Sequence, residues 1–194
     1  MLPDDGDISQ NLARQIAASG PISIAEYMRV ANAAYYDRAD PLGRDGDFIT
    51  APEISQMFGE LVGMWLTDMW LRGNAPAGCH YVELGPGRGT LASDALRAMA
   101  RFEFVPDVHF VETSTALRER QMAAVSAAHF YERVEDLPDT GPLLIIANEF
   151  FDALPVRQFV ATEEGWRERV IAHEGEQRFV AVTGTPPADA FIPA

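Results

Sequence analysis

Residues Tyr81-Val-Glu-Leu-Gly-Pro-Gly-Arg-Gly89 join a short apolar run to a turn with glycine at positions 85, 87 and 89. A strand ending at Leu84, a glycine turn and a helix from about Thr90 bring backbone N–H groups and a helix N-terminus to one ligand, the arrangement that cradles a nucleotide. Glycine permits the positive φ angles such a turn needs and leaves room for the ligand. The spacing is G-x-G-x-G, with Thr90 where a dinucleotide site has its last glycine, and this argues against NAD. A second apolar run, Val108 to Glu112, ends in a carboxylate that can accept hydrogen bonds from both hydroxyls of an adenosine ribose. An acid favoured at a helix N-terminus is the competing, lesser reading of Glu112.

With Glu83 just before Gly85, the turn resembles motif I of class I S-adenosylmethionine-dependent methyltransferases. In that layout the strand Leu143 to Ala147 leads to the acceptor site, through Ala147-Asn-Glu-Phe-Phe-Asp-Ala-Leu-Pro155. Methyl transfer to nitrogen needs a lone pair in line with the S–CH3 bond at about 3 Å. The amide oxygen of Asn148 can orient an acceptor N–H. The Glu149 carboxylate can bind a guanidinium bidentately and draw its charge toward the bonded nitrogens, leaving the third more nucleophilic. Phe150 and Phe151 can wall the pocket and stack on a flat cation. Asn148, Glu149 and Asp152 are the candidate catalytic residues. A strand end capped by Asn148 with two core phenylalanines is the competing reading.

The elements that must position these residues follow from the pattern. A helix is expected from Gln10 to Ala18, with Ser9 as N-cap and Gly20 as stop. Ser23 and Glu26 form a capping box for a second helix reaching about Ala34. Tyr36 to Ile49, with Gly-Arg-Asp-Gly-Asp, reads as a solvated loop. Thr50-Ala-Pro-Glu53 repeats the capping box for a long helix, Pro52 to Leu71, whose Met57, Leu61, Met64, Trp65, Met69 and Trp70 form a stripe expected in the core. Beyond a linker at Gly73 to Gly78 come strands at His80 to Leu84, Val108 to Glu112, His129 to Tyr131 and Leu143 to Ala147. Helices at Leu91 to Arg101 and Ala116 to Val125 fall between them, which implies a parallel sheet with ligands at its carboxyl ends. Glu135 and Asp136 follow the third strand, where such folds contact adenine. After Pro155 the runs Val156 to Val160, Trp166 to Ala172 and Arg178 to Thr183 read as an antiparallel meander.

The chain of 194 residues is 47% hydrophobic and carries a net charge of −14. That charge opposes binding to nucleic acid or anionic membrane and suits a basic partner. One cysteine, Cys79, excludes an internal disulfide and fits a reducing compartment. His80, His109, His129 and His173 show no metal-ligand spacing, so no metal is expected. Neither a secretory signal nor a transmembrane stretch is visible, and the expected location is cytoplasmic.

Gly46-Asp-Phe-Ile-Thr-Ala-Pro-Glu-Ile-Ser-Gln-Met-Phe-Gly-Glu60, Glu83 to Thr90 and Asn148 to Pro155 together resemble the MidA-like methyltransferase family, over about Gly20 to Val180. The resemblance implies an α/β fold, a partial, mainly parallel Rossmann-like class I methyltransferase core preceded by a helical segment and followed by a short antiparallel meander. It implies three regions: 1–75 closing the cofactor pocket, 76–155 binding the cofactor and 156–194 forming the meander. It implies S-adenosyl-L-methionine as cofactor, held by Glu83, Gly85, Gly87, Gly89 and Glu112, with Thr50, Pro52, Glu53 and Ser55 nearby. It also implies a protein arginine as acceptor, as in a respiratory complex I subunit. Members usually run to about twice this length, so the chain reads as a fragment or as a shortened member whose fourth-strand edge is covered by the meander or a partner. A non-catalytic assembly protein that keeps the fold is the alternative, and a Rossmann oxidoreductase is a third reading.

Overall fold

The computed structural model describes residues 5–36, 50–175 and 178–185. The described residues of 40–152 form one compact unit, and those of 1–39 with 153–194 form another. This partition cuts across the linear division into 1–75, 76–155 and 156–194, because the first two helices pack with the late strands.

The first unit begins with α1 (Asp5–Ser19) and α2 (Ile24–Tyr36), joined by β1 (Ile22–Ser23). The α1 helix starts earlier than expected, so Ser9 lies inside it. Gly20 ends it in the left-handed region (φ 84°), its N–H bonding Ile16 O at 2.9 Å. The Ser23 hydroxyl accepts from Glu26 N at 3.0 Å, which is half of the expected capping box. The Glu26 carboxylate turns instead to Arg29 and Gln15. The meander is present as β6 (Gln158–Thr162), β7 (Gly165–Glu174) and β8 (Arg178–Thr183), all antiparallel. The short β1 pairs with Val170 and Ile171 of β7, and Leu12, Ile16 and Ile22 form the core there with Ile171 and Phe179 packed on them.

The second unit is the α/β core. Its strands are β2 (His80–Leu84), β3 (Asp107–Val111), β4 (His129–Tyr131) and β5 (Leu143–Ile146), in the order β4-β3-β2-β5 and all parallel. The chain runs outward from β2 to β4 and then crosses back to β5. The strand order therefore reverses between β2 and β5, and a ligand crevice is expected at the carboxyl ends there. Tyr81, Val108 and Phe110 point from one face of this sheet to a core shared with α5 (Thr90–Ala100), while Val82, Leu84 and Val111 cluster on the other. The helix α6 (Thr115–Ala124) is capped by Ser114, whose side chain accepts from Leu117 N. No described strand pairs with the outer edge of β5.

Two expectations about the long helix fail. It is broken into α3 (Ala51–Ile54) and α4 (Gln56–Arg72), because Ser55 adopts an extended conformation and its hydroxyl caps α4 through Met57 N at 3.2 Å. The Met and Trp stripe is not core. Met57, Leu61, Met64, Trp65 and Met69 are 43% to 62% exposed, while Gly59, Gly63, Leu66 and Thr67 are buried against α5. A Cβ on Gly63 would lie 2.8 Å from Ala95 Cα, and one on Gly59 would lie 2.6 Å from Asp94 Cβ. Glycine thus lets the two helix backbones approach, and the large side chains are turned outward. Trp70 alone of the stripe packs inward, stacked on Phe104 with centroids 4.4 Å apart. Among the described residues, no helix is long and apolar enough to cross a membrane. Most of the loop read at Tyr36 to Ile49 lies outside the described residues.

Candidate functional site

All three glycines of the turn after β2 are left-handed, with φ 62° at Gly85, 56° at Gly87 and 80° at Gly89, so any side chain there would be strained. Gly85 N bonds Val111 O at 3.0 Å and Gly89 N bonds Pro86 O at 2.8 Å, which fixes the turn between β2, β3 and the start of α5. A Cβ on Gly85 would meet Phe150 Cδ2 at 2.7 Å, so the phenyl ring lies directly on the turn. That contact brings the segment after β5 to the glycine loop.

Glu83 is buried at the end of β2 and accepts a hydrogen bond from the Tyr81 hydroxyl at 2.6 Å. Burial raises its pKa to about 7, partly opposed by that hydrogen bond. Glu112, also buried, follows β3. Its Oε1 accepts from Ser114 N at 2.8 Å and its Oε2 from Gln121 Nε2 at 3.1 Å. The Arg118 side chain donates to the Glu112 carbonyl, through Nε at 2.8 Å.

The α3 residues are tied to the same loop through Glu53, which accepts from Thr90 Oγ1 at 2.6 Å and lies 3.5 Å from Arg88. The capping box expected at Thr50 is therefore not made: Thr50 has no side-chain cap bond, and the acid is drawn to the glycine turn. Pro52 is buried, and Ser55 serves α4. Asn148 and Glu149 follow β5, and Glu149 is exposed with φ 49°, a left-handed conformation rare for this residue type. Asp152 is exposed in a short 3-10 turn, Phe151–Ala153. Glu135 pairs with Arg133 in another such turn, Val134–Asp136.

Around this turn Phe150 lies on Gly85, Glu53 is bonded to Thr90 just after Gly89, and Glu112 is linked to the Gly87 carbonyl through Gln121, while Glu83 lies two residues before Gly85 and is bonded to Tyr81. Among the described residues, Thr50, Ser55 and Asp152 make no hydrogen bond or ion pair with it. Sequence reasoning missed Gln121, Tyr81 and Arg118. Gln121 had one legible signal, since it falls four residues after Leu117 on the same helix face as a polar residue among buried ones. The residues present fit an adenosine cofactor that carries an amino group. The turn leads into the N-terminus of α5, Glu112 offers a carboxylate to a ribose diol, and Glu83 can ionise beside a cation. A buried oxygen, Gln121 Oε1, also lacks any hydrogen-bond partner among the described residues. Among the described residues, no group of three or more His, Cys, Asp or Glu side chains is arranged to hold a metal.

The family of S-adenosyl-L-methionine-dependent methyltransferases matches residues 61–193. The protein arginine methyltransferase NDUFAF7, mitochondrial, of Danio rerio is 39% identical over 89% of this chain and 49% of its own length. The Drosophila melanogaster homologue is 37% identical over 96% of this chain and 51% of its own. A COG1565 superfamily member from Burkholderia thailandensis, solved bound to S-adenosyl-homocysteine, superposes with a TM-score of 0.78 at 27% identity, covering 98% of this chain and 54% of that one. The chain spans about half the length of the relatives it matches.

Proposed function

The chain belongs to the S-adenosyl-L-methionine-dependent methyltransferases, and from that premise we propose that it serves methyl transfer to a guanidinium nitrogen of a protein arginine. The relatives named protein arginine methyltransferase support this acceptor. The finer substrate we propose is an arginine of a respiratory complex I type subunit, following the MidA likeness. A net charge of −14 favours a basic protein segment over nucleic acid or anionic lipid. The working location is a reducing, aqueous compartment, taken as the cytoplasm, although the relatives' names place those proteins in mitochondria.

One observation carries the proposal: the Phe150 ring lies on Gly85, so the segment bearing Asn148 and Glu149 borders the cofactor turn. When bound, the cofactor supplies an electrophilic methyl group on a sulfonium sulfur. Glu149 pairs with two guanidinium N–H groups and concentrates the positive charge on them, freeing the lone pair of the third nitrogen. The methyl group would pass to that lone pair, with the electrons of the broken S–C bond remaining on the cofactor's sulfur. The proton leaving the nitrogen passes to the Glu149 carboxylate or to water. Asn148 accepts an N–H and fixes the approach angle, worth orders of magnitude in rate when the geometry is right. Phe151, exposed and edge-to-face with Phe150 at 5.4 Å, offers a flat surface to the cation.

Transfer of a labelled methyl group to arginine-containing peptides tests this. Glu149→Gln should lower kcat by about a hundredfold while affinity for S-adenosylhomocysteine stays within about twofold. Unchanged kcat in that variant would remove Glu149 from the mechanism. Cofactor binding with no transfer to any arginine peptide would favour a fold kept for assembly.

A further inference from the structure

Gln121 has no exposed surface and sits on α6 between the glycine turn and Glu112. Its Nε2 donates to Gly87 O at 2.8 Å and to Glu112 Oε2 at 3.1 Å. Both partners are pure acceptors, so the amide can face them only with its nitrogen. A flip would set Oε1 against two oxygens. Oε1 is therefore directed away from them, buried and without a hydrogen-bond partner among the described residues. The backbone has little freedom to yield, because a Cβ on Gly89 would lie 3.2 Å from Ala124 Cβ and 3.4 Å from Gln121 Cα. A fully buried amide with an unmet oxygen is a poor choice for a core position, which an apolar side chain of the same size would fill at less cost.

We propose that Gln121 is a positioning residue for the cofactor, locking the Glu112 carboxylate to the Gly87 carbonyl so that the ribose diol meets an acceptor already aimed. This rests on the reading of Gly85 to Gly89 and Glu112 as the cofactor site. Glu112 Oε1 is held separately by Ser114 N. Removing the Gln121 amide therefore frees one carboxylate oxygen and leaves the other fixed. The consequence is selective: one ribose hydroxyl loses its aimed acceptor, and the other keeps it.

The test is titration calorimetry of the full chain with S-adenosylhomocysteine and with its 2′-deoxy and 3′-deoxy analogues, for the native chain and for Gln121→Met, which keeps the volume. The native chain should discriminate against both analogues. In Gln121→Met, affinity for S-adenosylhomocysteine should fall about tenfold, as expected for a lost hydrogen bond to a charged group. Discrimination against one analogue should vanish while discrimination against the other persists. Equal weakening of all three ligands, or unchanged discrimination, would overturn the proposal and leave the cofactor site standing. A native chain that binds none of the three would overturn the cofactor reading itself, and this proposal with it. Should Gln121→Met fail to fold, the side-chain amide resonances of Gln121 in the native chain decide the matter. They should shift on adding S-adenosylhomocysteine and stay in place on adding adenine, and a resonance indifferent to both would refute the role.

Discussion

On the face of the parallel sheet beneath α4 and α5, Tyr81 gives its hydroxyl hydrogen to Glu83, and among the described residues that carboxyl has no second side-chain donor. On the opposite face, three residues of neighbouring strands form a closed chain. With neutral rings, His80 Nε2 donates to Thr140 O at 2.9 Å, His109 Nε2 donates to His80 Nδ1 at 2.9 Å and the Tyr131 hydroxyl donates to His109 Nδ1 at 3.2 Å. Every ring nitrogen in that chain is used, and one set of tautomers satisfies all of it. One face thus carries a partly buried polar network that completes itself, and the other holds a carboxyl poised near neutrality at the mouth of a glycine turn. Buried polarity alone does not mark a site. Polarity left incomplete beside left-handed backbone does.

Substitutions on the two faces should separate stability from binding. Phe110 is fully buried under α4 and α5, and Phe110→Ala should destabilise the chain by about 4 kcal/mol in urea unfolding. A loss below about 1 kcal/mol would mean that this face is not the main core. Glu83→Gln should act in opposite directions on the two properties. The folded-state pKa of Glu83 lies above its unfolded value, so the favourable contribution of its protonated form is complete below about pH 4.5 and is lost as pH rises through about 7. At pH 8 the variant should therefore be more stable, by up to about 3 kcal/mol, while binding S-adenosylhomocysteine at least tenfold more weakly. Loss of both properties would make Glu83 a structural residue only.

His109 has its pKa lowered, first by burial and then by the neighbouring His80 and His129 charges, with Asp107 opposing. The unfolded chain takes up this proton more readily, so stability should fall as pH drops below about 6.5. His109→Gln should flatten that decline between about pH 7.5 and 5.5 without changing cofactor affinity, and an unaltered pH dependence of urea unfolding would remove His109 as its source. The smallest effect belongs to the outward stripe of α4. Met64→Gln should alter stability by no more than about 0.5 kcal/mol, and a larger loss would return Met64 to a core.

The strands of the parallel sheet, the glycine turn and Glu112 were legible because they rest on short-range signals, apolar runs ended by glycine or an acid. The helix before them was not. Periodicity shows that Met57, Leu61, Met64 and Trp65 share a face but not which face is buried, and here close approach at Gly59 and Gly63 decides it. The break at Ser55 was hidden for another reason. Glu53 fits a capping box at short range, yet its partner is Thr90, 37 residues away. Gln121 was missed because its partners, Gly87 and Glu112, come from two other elements that only the fold brings to it.

Titration of the chain with S-adenosylhomocysteine, alongside Gly87→Val, tests the central claim most directly. Gly87 has φ 56°, so valine there must distort the turn. Saturable binding by the native chain, abolished in a folded Gly87→Val, is the expected result. A folded native chain that takes up no ligand, or a variant that binds as well as the native chain, would contradict the assignment of the glycine turn as the cofactor site.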